Sequence, residues 1–195
     1  MFYLIETKNQ LNQLELKLSS SLTRYLEFIQ GNDNTHPALA EIIAVYLDVD
    51  GEDYIIPLGK ARIVQSAAPN KEIKTLTIIT YGMGVYWAKQ AAIDFAGQVE
   101  IIDLRTIHPI DFETIQASVQ KHGRCLVLTE EPINNSFAQA LAGRISSTCF
   151  EYLDAAVAVL GSESLPAIPL NAQLEFTMMP NAAKVKSLIQ NILAY

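Results

Sequence analysis

Two short motifs in this sequence have the residue types and spacing for chemistry. Gly82-Met83-Gly84 stands between an apolar run and an alanine-rich stretch, where a strand would turn into a helix and bare N–H groups could meet a phosphate. The dinucleotide pattern needs a third glycine at position 87, which is Trp87, so the motif reads either as a tight turn or as a small-anion site. Glu130-Glu131-Pro132 closes another apolar run, at the edge where open α/β sheets place their sites. Paired carboxylates there suit acid–base work, or a charged rim at a subunit contact. Asp103 and Arg105 flank Leu104, and as alternate strand residues they could form an ion pair. His36, His108 and His122 share no ligand spacing with cysteine or carboxylate, although a histidine at a helix end, as His122 would be, is a common structural choice. Neither a phosphate-binding G-x-x-x-x-G-K-[ST] nor a G-x-S-x-G nucleophile elbow occurs.

The elements that must carry these residues read clearly from residue 53 onward. Residues 61–64, 76–80, 99–104, 125–129 and 156–160 are apolar or β-branched and predict strands. Helices are expected over 85–96, from an Asp111 N-cap through Val119, over 135–148, and over 182–193, where Val185, Leu188, Ile189 and Ile192 would face a core. Strands alternating with helices of this length predict an α/β domain with a largely parallel sheet and helices on both faces. Residues 1–50 differ. Leu11, Leu14, Leu18, Leu22, Leu26 and Ile29 recur at helical steps after a short Phe2–Ile5 strand.

Composition narrows the classes. Half of the 195 residues are hydrophobic and 18% charged, which excludes a disordered chain. Fourteen basic against 21 acidic residues give net charge −7, which argues against nucleic-acid binding through phosphate neutralisation. No apolar run reaches membrane-spanning length. Cys125 and Cys149 lie in apolar segments and read as buried free thiols, which favours a reducing, cytoplasmic setting.

An ordered series of segments then resembles a known family. Asp53-Tyr54-Ile55-Ile56-Pro57-Leu58-Gly59-Lys60-Ala61, Thr80-Tyr81-Gly82 and Val99 through Asp111 come first. Glu130-Glu131-Pro132, Ser136 through Ala142, Tyr152-Leu153-Asp154-Ala155, Leu165-Pro166 and Pro180-Asn181 follow in order. Together they resemble the C-terminal, transketolase C-terminal-like domain of the β part of thiamine-diphosphate-dependent 2-oxo acid dehydrogenase E1 components, most of all fused α/β E1 chains. The resemblance covers residues 53–195 and divides the chain into an extension of uncertain origin at 1–50 and a domain at 51–195.

That resemblance implies a three-layer α/β/α fold, whose five-stranded, mostly parallel sheet has its first strand antiparallel. It implies a parent oxidoreductase using thiamine diphosphate and magnesium on pyruvate or branched-chain 2-oxo acids. The Gly-Asp-Gly pattern that holds the diphosphate is missing from this sequence, so the chain alone is expected to bind no cofactor and to have no catalytic residue. Ile133-Asn134-Asn135-Ser136 also replaces a glycine-rich stretch of many β subunits. The expected roles are assembly, as a homodimer or an E1 α/β complex, and docking of the E2 acyltransferase subunit-binding domain. Glu130, Glu131, Phe137 and Tyr195 are the interface candidates, and Gly82 and Gly84 the candidate anion turn. The alternative is a free-standing anion-binding or interaction module on the same fold.

Overall fold

The apolar runs form five strands, β1 (Arg62–Gln65), β2 (Leu76–Thr80), β3 (Val99–Asp103), β4 (Cys125–Pro132) and β5 (Ala158–Ser162). The computed structural model describes residues 56–68 and 73–195, so the 1–50 extension, His36 and the Asp53–Ile55 part of the resemblance lie outside the described residues. The strands make one sheet in the order β1-β3-β2-β4-β5. β1 runs antiparallel to β3, and the other neighbours are parallel. The expected five-stranded architecture with an antiparallel first strand is therefore present.

Among the described residues, five α-helices connect or follow the strands: α1 (Met83–Ala92), α2 (Phe112–His122), α3 (Phe137–Thr148), α4 (Ala172–Met178) and α5 (Ala182–Ala194). Alternation along the strands sends successive side chains to opposite faces. Leu76, Ile78, Val99 and Ile101 pack under α1 and α5, with Ala88, Val185 and Ile189. Ile79, Ile102 and Val127 pack under α2 and α3, with Ile115, Leu141 and Ile145. Three layers result. The alanines of α1 let that helix lie close to the sheet, and every residue of β2 is buried, as a central strand covered on both faces requires.

Several boundaries differ from expectation. α1 starts at Met83 rather than Val85 and gives way to a 3-10 turn over Ile93–Phe95. β4 continues to Pro132 because it pairs with β5 as far as Pro132 and Ser162. β5 itself begins two residues later than the sequence pattern placed it. α4 was not expected. Asp111 and Ser136 cap α2 and α3 by accepting the N–H groups of Thr114 and Gln139. Cys125 and Cys149 are buried and unbridged, as expected, and burial pushes the Cys125 thiol well above its ordinary range.

Candidate functional site

The carboxyl edge of the sheet gathers most of the residues singled out in the sequence. β2 ends in Thr80 and turns through Gly82 (φ 56°) into α1. β4, its neighbour, ends in Glu130-Glu131-Pro132 and leads to α3. Tyr81 links the two strands: its hydroxyl lies 2.8 Å from Thr129 Oγ1, and its ring meets Phe137 edge-on at 6.2 Å. The point between β2 and β4 is where the chain reverses direction across the sheet, the place where α/β folds open a crevice.

Each motif residue has a local physical role. A Cβ on Gly84 would fall 1.9 Å from Thr80 Oγ1 and 3.4 Å from Leu128 Cγ, so its side-chain space is taken by helix–strand contact. A Cβ on Gly82 would meet nothing within 4 Å, but the positive φ favours glycine there. The Gly84 and Val85 amides donate to the Tyr81 and Gly82 carbonyls. Glu131 Oε1 accepts the Ala138 N–H at 3.1 Å in the first turn of α3, where a negative charge opposes the helix dipole favourably. Glu130 is exposed, and Phe137 is half-buried beside Tyr81. Asp103 and Arg105 meet through the Arg105 backbone N–H, 3.0 Å from Asp103 Oδ1.

Tyr195 sits apart from this group. It is 82% exposed, and Lys74, just ahead of β2, reaches the neighbouring Ala194 carbonyl at 3.4 Å. The terminus therefore lies beside the amino edge of the sheet. Four interface candidates that sequence reasoning grouped together are thus divided between opposite edges.

Next to Glu130 and Glu131 opens a groove of about 380 Å³, lined also by Leu165, Pro166, Ile168, Met178 and Met179. It was not foreseen, because half of its wall comes from the segment around α4.

The amino edge holds a second cluster that the sequence did not reveal. Glu100, on β3, is buried with His122, and its Oε1 lies 2.7 Å from Ser118 Oγ and 3.3 Å from His122 Nε2. Lys121 Nζ stands 3.1 Å from Oε2, Thr77 lies 2.7 Å from Ser118, and Thr75 Oγ1 lies 2.7 Å from His122 Nδ1. Burial alone would raise the Glu100 pKa. The His122, Ser118 and Lys121 contacts outweigh it and lower the value to about 2. The cluster acts as a bolt between α2 and the sheet. Asp111, at the other end of α2, is likewise lowered: burial opposes ionisation, but the Ala61 and Thr114 donors prevail. His108 is exposed in the loop before α2. Among the described residues no three His, Cys, Asp or Glu side chains come together as a metal site requires.

A three-layer domain with this strand order and one antiparallel edge strand fits one family by sequence as well: the family described as Transketolase, C-terminal domain, matches residues 65–185, and the chain belongs to it. It is 35% identical over 144 residues to the pyruvate dehydrogenase E1 component subunit beta of Rhizobium meliloti, covering 72% of this chain and 30% of that one. It is 33% identical over 148 residues to the 2-oxoisovalerate dehydrogenase subunit beta of Bacillus subtilis, covering 74% and 43%. The chain thus spans less than half the length of these curated relatives. A solved split-gene transketolase, described as an inactive beta4 tetramer, superposes with a TM-score of 0.59 at 16% identity over 78% of this chain and 54% of that one. That likeness concerns the fold.

Proposed function

We propose that this chain serves as the C-terminal domain of a 2-oxo acid dehydrogenase E1 β part, joining E1 subunits and docking the E2 acyltransferase, without decarboxylating a 2-oxo acid alone. The observation carrying this reading is its similarity to two β subunits named for different substrates, pyruvate and 2-oxoisovalerate, at nearly equal identity. A region shared across both substrates fits assembly better than substrate choice. Residues 51–195 are the domain in this reading, residues 1–50 a separate extension, and the compartment the cytoplasm. The thiamine diphosphate and magnesium of the parent enzyme would sit on other parts, in keeping with the absent Gly-Asp-Gly pattern. Phe137 and α3 are assigned to the self-association contact.

The exposed Tyr195 is assigned to E2 docking. An aromatic anchor suits an interface, and net charge −7 would steer a basic partner. The test is sedimentation of the full chain with an E2 subunit-binding domain across a salt series, with and without Tyr195, beside calorimetry with thiamine diphosphate and magnesium. Expected are salt-weakened binding that falls on deletion, and no tight cofactor binding. Micromolar cofactor affinity, or docking indifferent to both salt and the deletion, would overturn the proposal.

A further inference from the structure

After β5 the chain exposes apolar side chains instead of burying them. Ile168, Leu170, Leu174 and Phe176 all face solvent, Leu170 completely, on the segment that walls the groove beside Glu130 and Glu131. Leu165, Ile168, Met178 and Met179 make that groove apolar. Apolar surface concentrated in this way marks a site of association.

The charged side chains that line it, Glu130 and Glu131, are both acidic. No lysine or arginine lies between Arg144 and Lys184. Glu163 follows β5 and its N–H bonds the Met178 carbonyl, while Glu175 lies on α4. Glu130 and Glu131 line the groove itself. Lys184, the nearest cation along the chain, directs its Nζ to the Thr177 and Met179 carbonyls. Inside the groove the wholly buried Ser162 keeps a hydroxyl without a hydrogen-bond partner among the described residues. A buried hydroxyl left unmatched is costly and implies a missing donor or acceptor.

We infer that this groove docks a basic segment of another protein, an apolar anchor flanked by Lys or Arg. The anchor enters between Ile168 and Met178, and the cations face Glu130 and Glu163. A second copy of this chain is the poorer occupant. A two-fold contact through this patch would bring the Glu130 and Glu131 carboxylates against their own copies. The inference rests on the groove alone and is independent of the E1 reading.

The probe is a fluorescent synthetic peptide, Lys-Lys-Leu-Leu-Lys-Lys-Leu-Leu-Lys, compared with its counterpart carrying Glu for every Lys, each titrated by anisotropy into the full chain. The expected result is saturable binding of the lysine peptide, at least tenfold tighter than the glutamate peptide. Affinity should fall at least tenfold in Glu130→Lys/Glu163→Lys, and also in Ala167→Trp, which fills the groove without changing charge. Glu113→Lys/Glu151→Lys changes net charge equally at exposed positions elsewhere and should leave most of the affinity. Equal loss in both double variants, unchanged binding in Ala167→Trp, or equal affinity for the two peptides would overturn the assignment. Circular dichroism confirms that each variant is folded before titration.

Discussion

The two edges of this parallel sheet treat their carboxylates in opposite ways. At the amino edge, Glu100 is buried and each of its oxygens has a partner, so the charge fastens α2 to β2 and β3. At the carboxyl edge, Glu130 is exposed beside an apolar groove, and Glu131 spends one oxygen on the first turn of α3. One edge uses charge for cohesion and the other leaves it for encounter. A carboxylate's contribution therefore follows from what surrounds it and cannot be read from residue type.

The sharpest way to break this contrast is to remove the two kinds of glutamate. Glu100→Ala should cost about 3–5 kcal/mol, since it removes the buried carboxylate that Ser118 donates to and that His122 and Lys121 face. Urea unfolding at pH 7 measures it, and a loss under 1 kcal/mol would reduce the amino-edge bolt to ordinary packing. The same charge gives a pH signature. Because its folded pKa lies near 2, below the ordinary 4.5, its stabilisation is complete above pH 4.5. It is lost as pH falls toward 2, on the order of 3 kcal/mol in all. Glu100→Gln should flatten the wild-type stability curve across that window, and an unchanged slope would show the charge to be idle.

Smaller effects sharpen the carboxyl side. Gly84→Ala should destabilise by about 1–3 kcal/mol, because Thr80 must yield to the new methyl. A neutral thermal melt would contradict the close helix–strand contact. Tyr81→Phe removes the bridge to Thr129 and should cost about 1 kcal/mol. At the bottom of the scale, Glu130→Ala should stay within about 0.5 kcal/mol by the same urea assay. A large loss there would mean that the carboxyl edge is as load-dependent on its charge as the amino edge.

The central strands were legible because residues 76–80 and 125–129 are continuous apolar runs, and the cap of α2 because Asp111 is a local signal; the Ser136 cap of α3 was missed, with the helix start set at 135. Pairing decided what the local pattern could not. Alternating Ala and Val over 156–159 carry no end signal, so β5 takes its limits from β4 through the Leu126–Ala158 register. Glu100 falls inside the 99–104 run, and its partners come from a helix 18 and more positions away. His122 was placed at a helix end, but nothing in one sequence joins it to Glu100. α4 did carry a readable start in Asn171, which accepts the N–H groups of Gln173 and Leu174, and its exposed apolar residues obscured it.

The antiparallel β1 has a mechanical consequence. The chain comes into β1 at the carboxyl edge, where Gly59 and Ala61 bond Thr106 and Asp111, and it finishes beside the amino edge at Tyr195. Tension applied between Pro57 and Tyr195 therefore runs along the strands and not across them. The β1–β3 hydrogen bonds, which lie perpendicular to the strands, are loaded in shear and must give way together, whereas a peeling force would break them one at a time. Stretched between these two points, the domain should yield in one abrupt step set by its unfolding rate.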